Sequence, residues 1–198
     1  MTQTKKRLHI VLVLADNLGW GELGCYGGGA LRGAPTPRID ALSEEGLKCL
    51  NFNVESDCVP TRSALMTGRH PIRTGALQSV PAGLPQGIHP WEITLPQVLQ
   101  ESGYATGMFG KWHLGDAEGR YPTDQGFDEW YGIPNSSDQA FWPDSDSFQK
   151  DAGVELTRIM TAKRDEKPKK HEVYGRAKRA TIDREITDHA LDFMERDH

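Results

Sequence analysis

The chain has 198 residues, of which 37% are hydrophobic and 26% charged, a composition that excludes collagenous and largely disordered chains and suits one domain with its own core. Its 23 Lys and Arg against 28 Asp and Glu give a net charge of −5, which argues against a general nucleic-acid binder. No apolar run approaches the roughly 20 residues that span a bilayer, so neither a nucleic-acid nor a membrane partner is expected. The three cysteines, Cys25, Cys49 and Cys58, show no CxxC spacing, so a disulfide framework or a zinc site is not expected.

Lys5, Lys6 and Arg7 precede an apolar run from Leu8 to Ala15, which imitates a short signal peptide. The run contains His9 and ends in Asp16-Asn17 rather than in a small-residue cleavage site. It reads instead as a buried parallel strand over Leu8 to Leu14. The expected localisation is then cytoplasmic, with periplasmic as the alternative. Gly19 to Pro35 is a glycine-rich loop. Thr36 and Pro37 supply an N-cap and a first-turn proline for a helix that carries Ile39 and Leu42 and stops at Gly46. Lys48 to Val54 predicts a second strand, with Leu50, Phe52 and Val54 alternating.

Val59 to Thr67 predicts a short helix closed by Gly68. Thr94 and Gln97 have the spacing of a capping box, and the helix they open presents Leu95, Val98 and Leu99 before stopping at Gly103. Tyr104 to Phe109 predicts a third strand. Strands separated by helices imply an α/β fold, a mostly parallel sheet flanked by helices, with the motif-bearing core over 8–132. Beyond Tyr131 the pattern fades into an irregular insert over about 135–173, whose charge run from Lys163 to Glu172 reads as a solvated loop. Within it, Gln139 to Phe148 reads as a surface loop, with a substrate rim as the sharper alternative. A C-terminal helix over about 176–196 places Ile182, Ile186, Ala190, Phe193 and Met194 on one face. Such a stripe normally leads into another strand, so the chain reads as the N-terminal part of something longer.

Four stretches carry chemistry. Gly19-Trp-Gly-Glu-Leu-Gly24 matches the dinucleotide pattern, but glycines at 27–29 would interrupt the helix that pattern needs, and Asp16 would oppose a phosphate. Asp16 and Asn17 follow the first strand, where a carboxylate beside an amide oxygen suits Ca²⁺ or Mg²⁺; an Asx turn is the alternative. Cys58 begins a helix and Arg62 shares its face four residues on, a setting that makes a thiol reactive; a buried cysteine with a surface arginine is the plain alternative. In Gly110-Lys-Trp-His-Leu-Gly115, Lys111 and His113 point the same way if the segment is extended, one a point charge for an anion and the other a proton carrier. The flanking glycines would let the backbone pass close to a ligand.

Taken in order, these segments resemble the sulfatase family. Ile10 to Gly27 is similar to the family's opening strand and metal loop, and Cys58-Val-Pro-Thr-Arg-Ser-Ala-Leu-Met-Thr-Gly-Arg69 is similar to its signature. Gly110 to Gly115 and Gly126-Phe-Asp-Glu-Trp-Tyr-Gly132 match two further blocks, so the resemblance runs almost continuously over 9–132. It implies the alkaline-phosphatase-like fold and hydrolysis of sulfate esters, of small molecules or of glycans. It further implies that a separate maturation enzyme oxidises Cys58 to formylglycine. The hydrated aldehyde then attacks sulfur, assisted by a divalent metal, Ca²⁺ before Mg²⁺. On this reading Asp16, Asn17 and the oxygen derived from Cys58 hold the metal, Arg62 holds the formylglycine, Lys111 contacts sulfate oxygens, and His113 orients or deprotonates the hydrate.

The chain departs from the family's pattern at Asn17, where aspartate is usual, and mildly at Thr61. The family also takes a second metal pair, a histidine and a lysine from a later segment, and Asp188-His189 in the C-terminal helix does not fill that role. The chain alone is therefore expected to hydrolyse aryl sulfates poorly or not at all. A phosphonate or phosphodiester hydrolase of the same superfamily and a non-catalytic remnant stand as the other readings.

Overall fold

The computed structural model describes residues 7–79, 87–140, 142–143 and 155–196. The chain forms two compact units, Met1–Asn53 and Val54–His198.

In the first unit the glycine-rich loop winds into three 3₁₀ turns, Trp20–Glu22, Gly24–Tyr26 and Gly29–Arg32. A Cβ on Gly28 would stand 2.0 Å from the Gly21 carbonyl oxygen, so this winding requires glycine there. The dinucleotide pattern thus forms short turns and offers no helix N-terminus to a pyrophosphate. Helix α1 spans Pro37–Glu45 and breaks at Gly46, as its cap and stop signals predict. The Thr36 hydroxyl accepts from Gly24 N at 2.9 Å and donates to Asp40 Oδ1 at 3.0 Å, and Cys25 N donates to that same carboxylate oxygen at 2.7 Å. Tyr26 donates to the Cys49 carbonyl at 2.9 Å, and Lys48 to the Cys25 carbonyl at 3.0 Å.

The two strands expected at Leu8 to Leu14 and Lys48 to Val54 form no ladder, which corrects the sequence reading. Val13 is 84% exposed and Phe52 73%. Alternation marks residues suited to a strand, but a strand exists only where a neighbour takes its N–H and C=O groups.

The second unit is built on one sheet in the order β1-β2-β3-β4, comprising β1 (Gly107–Lys111), β2 (Glu129–Ile133), β3 (Arg158–Lys163) and β4 (Lys169–Val173). β1 and β2 are parallel, and the other two pairs are antiparallel. The fold class is α/β, and this part of the sheet is mixed because the stretch read as an irregular, solvated insert folds into an antiparallel hairpin. Its charged residues are compatible with strand structure because β4 is an edge, solvated along one side and protected by lysines against pairing with another chain.

The third expected strand also shifts, from Tyr104–Phe109 to Gly107–Lys111. Thr106 is drawn out of the ladder by Asp128, which accepts Thr106 N at 2.7 Å and Thr106 Oγ1 at 3.1 Å. The register sets Gly110 opposite Gly132, and a Cβ on Gly132 would lie 1.9 Å from the Gly110 carbonyl oxygen. Gly132 therefore serves the close approach of the two strands.

Five helices complete this unit among the described residues: α2 (Cys58–Thr67), α3 (Pro71–Thr74), α4 (Leu95–Glu101), α5 (Arg176–Arg179) and α6 (Ile182–Glu195). The predicted C-terminal helix is thus two helices. Two apolar clusters pack against the sheet. Val59, Ile88, Trp112, Leu114, Trp130 and Met160 form one, and Ile133, Ala140, Ile159, Tyr174 and Ile182 form the other. Met160 and its neighbour Ile159 fall in different clusters, as alternation along a strand dictates.

Candidate active site

The head of α2 and the end of β1 meet in the second unit. Asp57 is the N-cap of α2 and accepts Cys58 N at 2.6 Å, which leaves Cys58 as the first helical residue. The thiol also donates to Asp57 Oδ1 at 3.2 Å. These hydrogen bonds, the side-chain one first, hold the Asp57 carboxyl below the ordinary carboxylate range. Gly68, left-handed at φ 65°, stops the helix as the sequence predicts.

One turn beyond Cys58, Arg62 is buried, and its Nη1 donates to the Lys111 carbonyl at 3.2 Å. This contact fastens α2 to the last residue of β1. The chain then turns sharply. His113 sits in the left-handed region at φ 58° and donates its backbone N–H to the Pro134 carbonyl at 2.8 Å. Lys111 and His113 are therefore neighbours through a turn, and not through the extended segment that their spacing suggested.

His113 is 5% exposed, and the Gln139 side chain is a hydrogen-bond neighbour of its ring. Burial, followed by the charges of Lys111 and Arg62, pushes its pKa down to about 4. The Gln139 side chain and the Asp138 carboxylate act in the opposite direction and are outweighed. The ring is neutral at pH 7, with one nitrogen a donor and the other an acceptor. A buried neutral imidazole beside two cations suits a polar anionic ligand.

Asp16 and Asn17 belong to the first unit. Asn17 is left-handed at φ 58°, a conformation that asparagine tolerates well. Their carboxylate and amide oxygens are hard donors and fit Ca²⁺ or Mg²⁺ in kind, as two of the six to eight oxygens that Ca²⁺ takes. Among the described residues, no group of three or more His, Cys, Asp or Glu gathers to hold a metal ion.

The sequence reading missed the roles of four residues. Ser79 donates to Asp57 Oδ2 at 3.3 Å and lies 3.7 Å from Cys58 Sγ. Asp57 itself was legible as a capping residue before a helix. Asp138 and Gln139 influence His113 from the 3₁₀ turn Ser137–Gln139, which no local pattern connects to residue 113. A cavity of about 240 Å³ has Asp116, Tyr121, Asn135, Arg158, Met160 and Lys170 in its lining. Pro134, which accepts the His113 N–H, also lines it. Of the possible rim from Gln139 to Phe148, residues 141 and 144–148 lie outside the described residues.

A family model described as Sulfatase matches residues 9–198. The chain belongs to the sulfatase family. This sulfatase chain is 47% identical to human arylsulfatase A over 135 residues, covering 66% of this chain and 26% of that protein. The structure of the PsFucS1 sulfatase from Pseudoalteromonas sp. aligns with a TM-score of 0.80 at 32% identity, over 91% of this chain and 39% of that one. The structure of BT4656 in complex with its substrate D-glucosamine-2-N,6-O-disulfate aligns with a TM-score of 0.56 at 26% identity, over 90% of this chain and 29% of that one. The chain thus spans about a quarter of the length of the curated relative and between a quarter and two fifths of the solved ones. The last residue of the signature, Arg69, has a structural partner here, since its Nη1 lies 2.6 Å from Oε2 of the buried Glu92.

Proposed function

We propose that this chain supplies the nucleophile and half of the anion-binding machinery for hydrolysis of a sulfate ester. The observation that carries the reading is the buried imidazole of His113, kept neutral at pH 7 by burial and by the charges of Lys111 and Arg62. Oxidised to formylglycine by a maturation enzyme, position 58 supplies a hydrated aldehyde whose oxygen attacks sulfur; a divalent cation, Ca²⁺ before Mg²⁺, would supply Lewis-acid activation when bound. Asp16 and Asn17 would be donors to it from the first unit.

The remaining roles follow from what each side chain can do. Lys111 offers a compact positive charge to sulfate oxygens. Arg62, held by the Lys111 carbonyl, keeps a fixed charge one turn along from the nucleophile. Neutral His113 accepts a proton at one nitrogen, and its low pKa keeps that nitrogen available across the physiological range. The organic part of the substrate is a glycan. The sulfated sugar named as the substrate of BT4656 supports this.

The test weighs the peptide carrying Cys58 from protein made in its own host. A mass matching an aldehyde, shifted by a hydrazine reagent, is expected. An unmodified thiol under conditions that mature an authentic sulfatase overturns the reading and leaves a non-catalytic relative.

A further inference from the structure

The side chain at position 58 is held from two sides. Its sulfur donates to Asp57 Oδ1 at 3.2 Å and lies 3.7 Å from Ser79 Oγ, while Ser79 donates to Asp57 Oδ2 at 3.3 Å. Only part of this arrangement serves the helix. An N-cap accepts from backbone N–H groups, as Asp57 does from Cys58 N at 2.6 Å. The contacts to sulfur add nothing to capping, and Ser79 comes from outside the helix, 21 residues along the chain. Asp57 and Ser79 thus close a small ring around the one side chain that the proposed function alters.

Within that ring both neighbours face position 58 as acceptors. A carboxylate has no proton to give. The Ser79 proton already points to Asp57 Oδ2, which turns the serine's lone pairs toward the sulfur. A thiol is a weak donor and makes poor use of two acceptors. A hydroxyl on the same carbon is a strong donor, and its bond to a carboxylate is about twice as strong as a neutral one.

A hydrated aldehyde carries two chemically equal hydroxyls on one carbon, and only one of them attacks. We propose that Asp57 and Ser79 are positioning residues that hold one hydroxyl of the hydrate at position 58 and so leave the other as the attacking one. The inference rests on the proposed oxidation of Cys58 and goes beyond it by naming the residues that hold the hydroxyl that does not attack. Because a bare aldehyde has no O–H to donate, the same pair favours the hydrate over the aldehyde.

The test follows hydrazone formation with a hydrazine probe on matured protein, comparing wild type with Asp57→Asn, Ser79→Ala and the double variant. Each rate is divided by the final labelling yield, which reports how much aldehyde was formed. Asparagine still caps the helix, so Asp57→Asn removes the charge and keeps the fold. Labelling is expected to run about threefold faster in each single variant and about tenfold faster in the double variant, as the hydrate loses the bonds that hold it. Equal rates at equal yield overturn the inference and leave the proposed function standing. A lower thermal midpoint with an unchanged rate assigns Asp57 to capping alone and also overturns it. Zero yield in every protein, wild type included, overturns the proposed function and the inference together. Should Asp57→Asn reduce maturation, Ser79→Ala, which lies outside the signature, decides the question.

Discussion

The two units of this chain are stabilised in different ways. The first is held by 3₁₀ turns and by polar contacts converging on Thr36 and Asp40, and among its described residues only Gly29 is buried. The second packs two apolar clusters against a sheet, with Trp130 and Met160 2% exposed and Leu114 wholly buried. Yet the first unit carries the more hydrophobic run, Leu8 to Leu14. Hydrophobicity is a demand for a partner, and only the second unit meets that demand with its own elements.

The sharpest way to break this contrast is to truncate a packed residue. Trp130→Ala is expected to destabilise the second unit by about 3–5 kcal/mol, read from urea midpoints, because the cavity it leaves cannot close. An effect below about 1 kcal/mol would show that the second unit is no better packed than the first.

Acid sharpens the contrast next. The folded state holds the His113 pKa at about 4 against 6.5 for the free side chain. As pH falls below 6.5 the unfolded chain takes up a proton that the folded chain refuses, so stability is expected to fall between pH 6.5 and 4, by up to about 3 kcal/mol. His113→Gln is expected to flatten that part of the profile. An unchanged profile would place the imidazole in water.

The Arg69–Glu92 pair follows. Glu92 is 5% exposed, and Arg69→Ala strands its carboxylate, at an expected cost of about 2–3 kcal/mol, reduced because the arginine is itself half in solvent. Arg69→Lys should recover part of this loss. Smallest of all is Val13→Ala in the first unit, expected to stay within about 0.5 kcal/mol because the side chain is 84% exposed. A loss of 2 kcal/mol there would mean that the apolar run is covered in solution.

What could be read from the sequence follows the range of the forces involved. The start and stop of α1 and α2, and the placement of Cys58 and Arg62 on one helix, depend on residues within about four positions of each other, and these were legible from capping residues and glycines. The candidate site was legible to the same depth: Cys58, Arg62, Lys111 and His113 each stand in a short motif. Its working state was not. The neutrality of His113 comes from burial and from Lys111 and Arg62, and Arg62 lies 51 positions away. The left-handed turn at His113 is pinned by Pro134, and the neighbours of Cys58 include Ser79, whose position no local spacing announces.

The strands divide in the same manner. Period-two alternation over Leu8 to Leu14 and Lys48 to Val54 matched a strand without producing one, while the charged run after Lys163 became part of a hairpin. By itself, then, the sequence determined which short segments cap, turn and carry reactive groups. Tertiary structure alone decided which extended segments pair and which imidazole stays uncharged, because backbone pairing and desolvation depend on groups that arrive from distant parts of the chain.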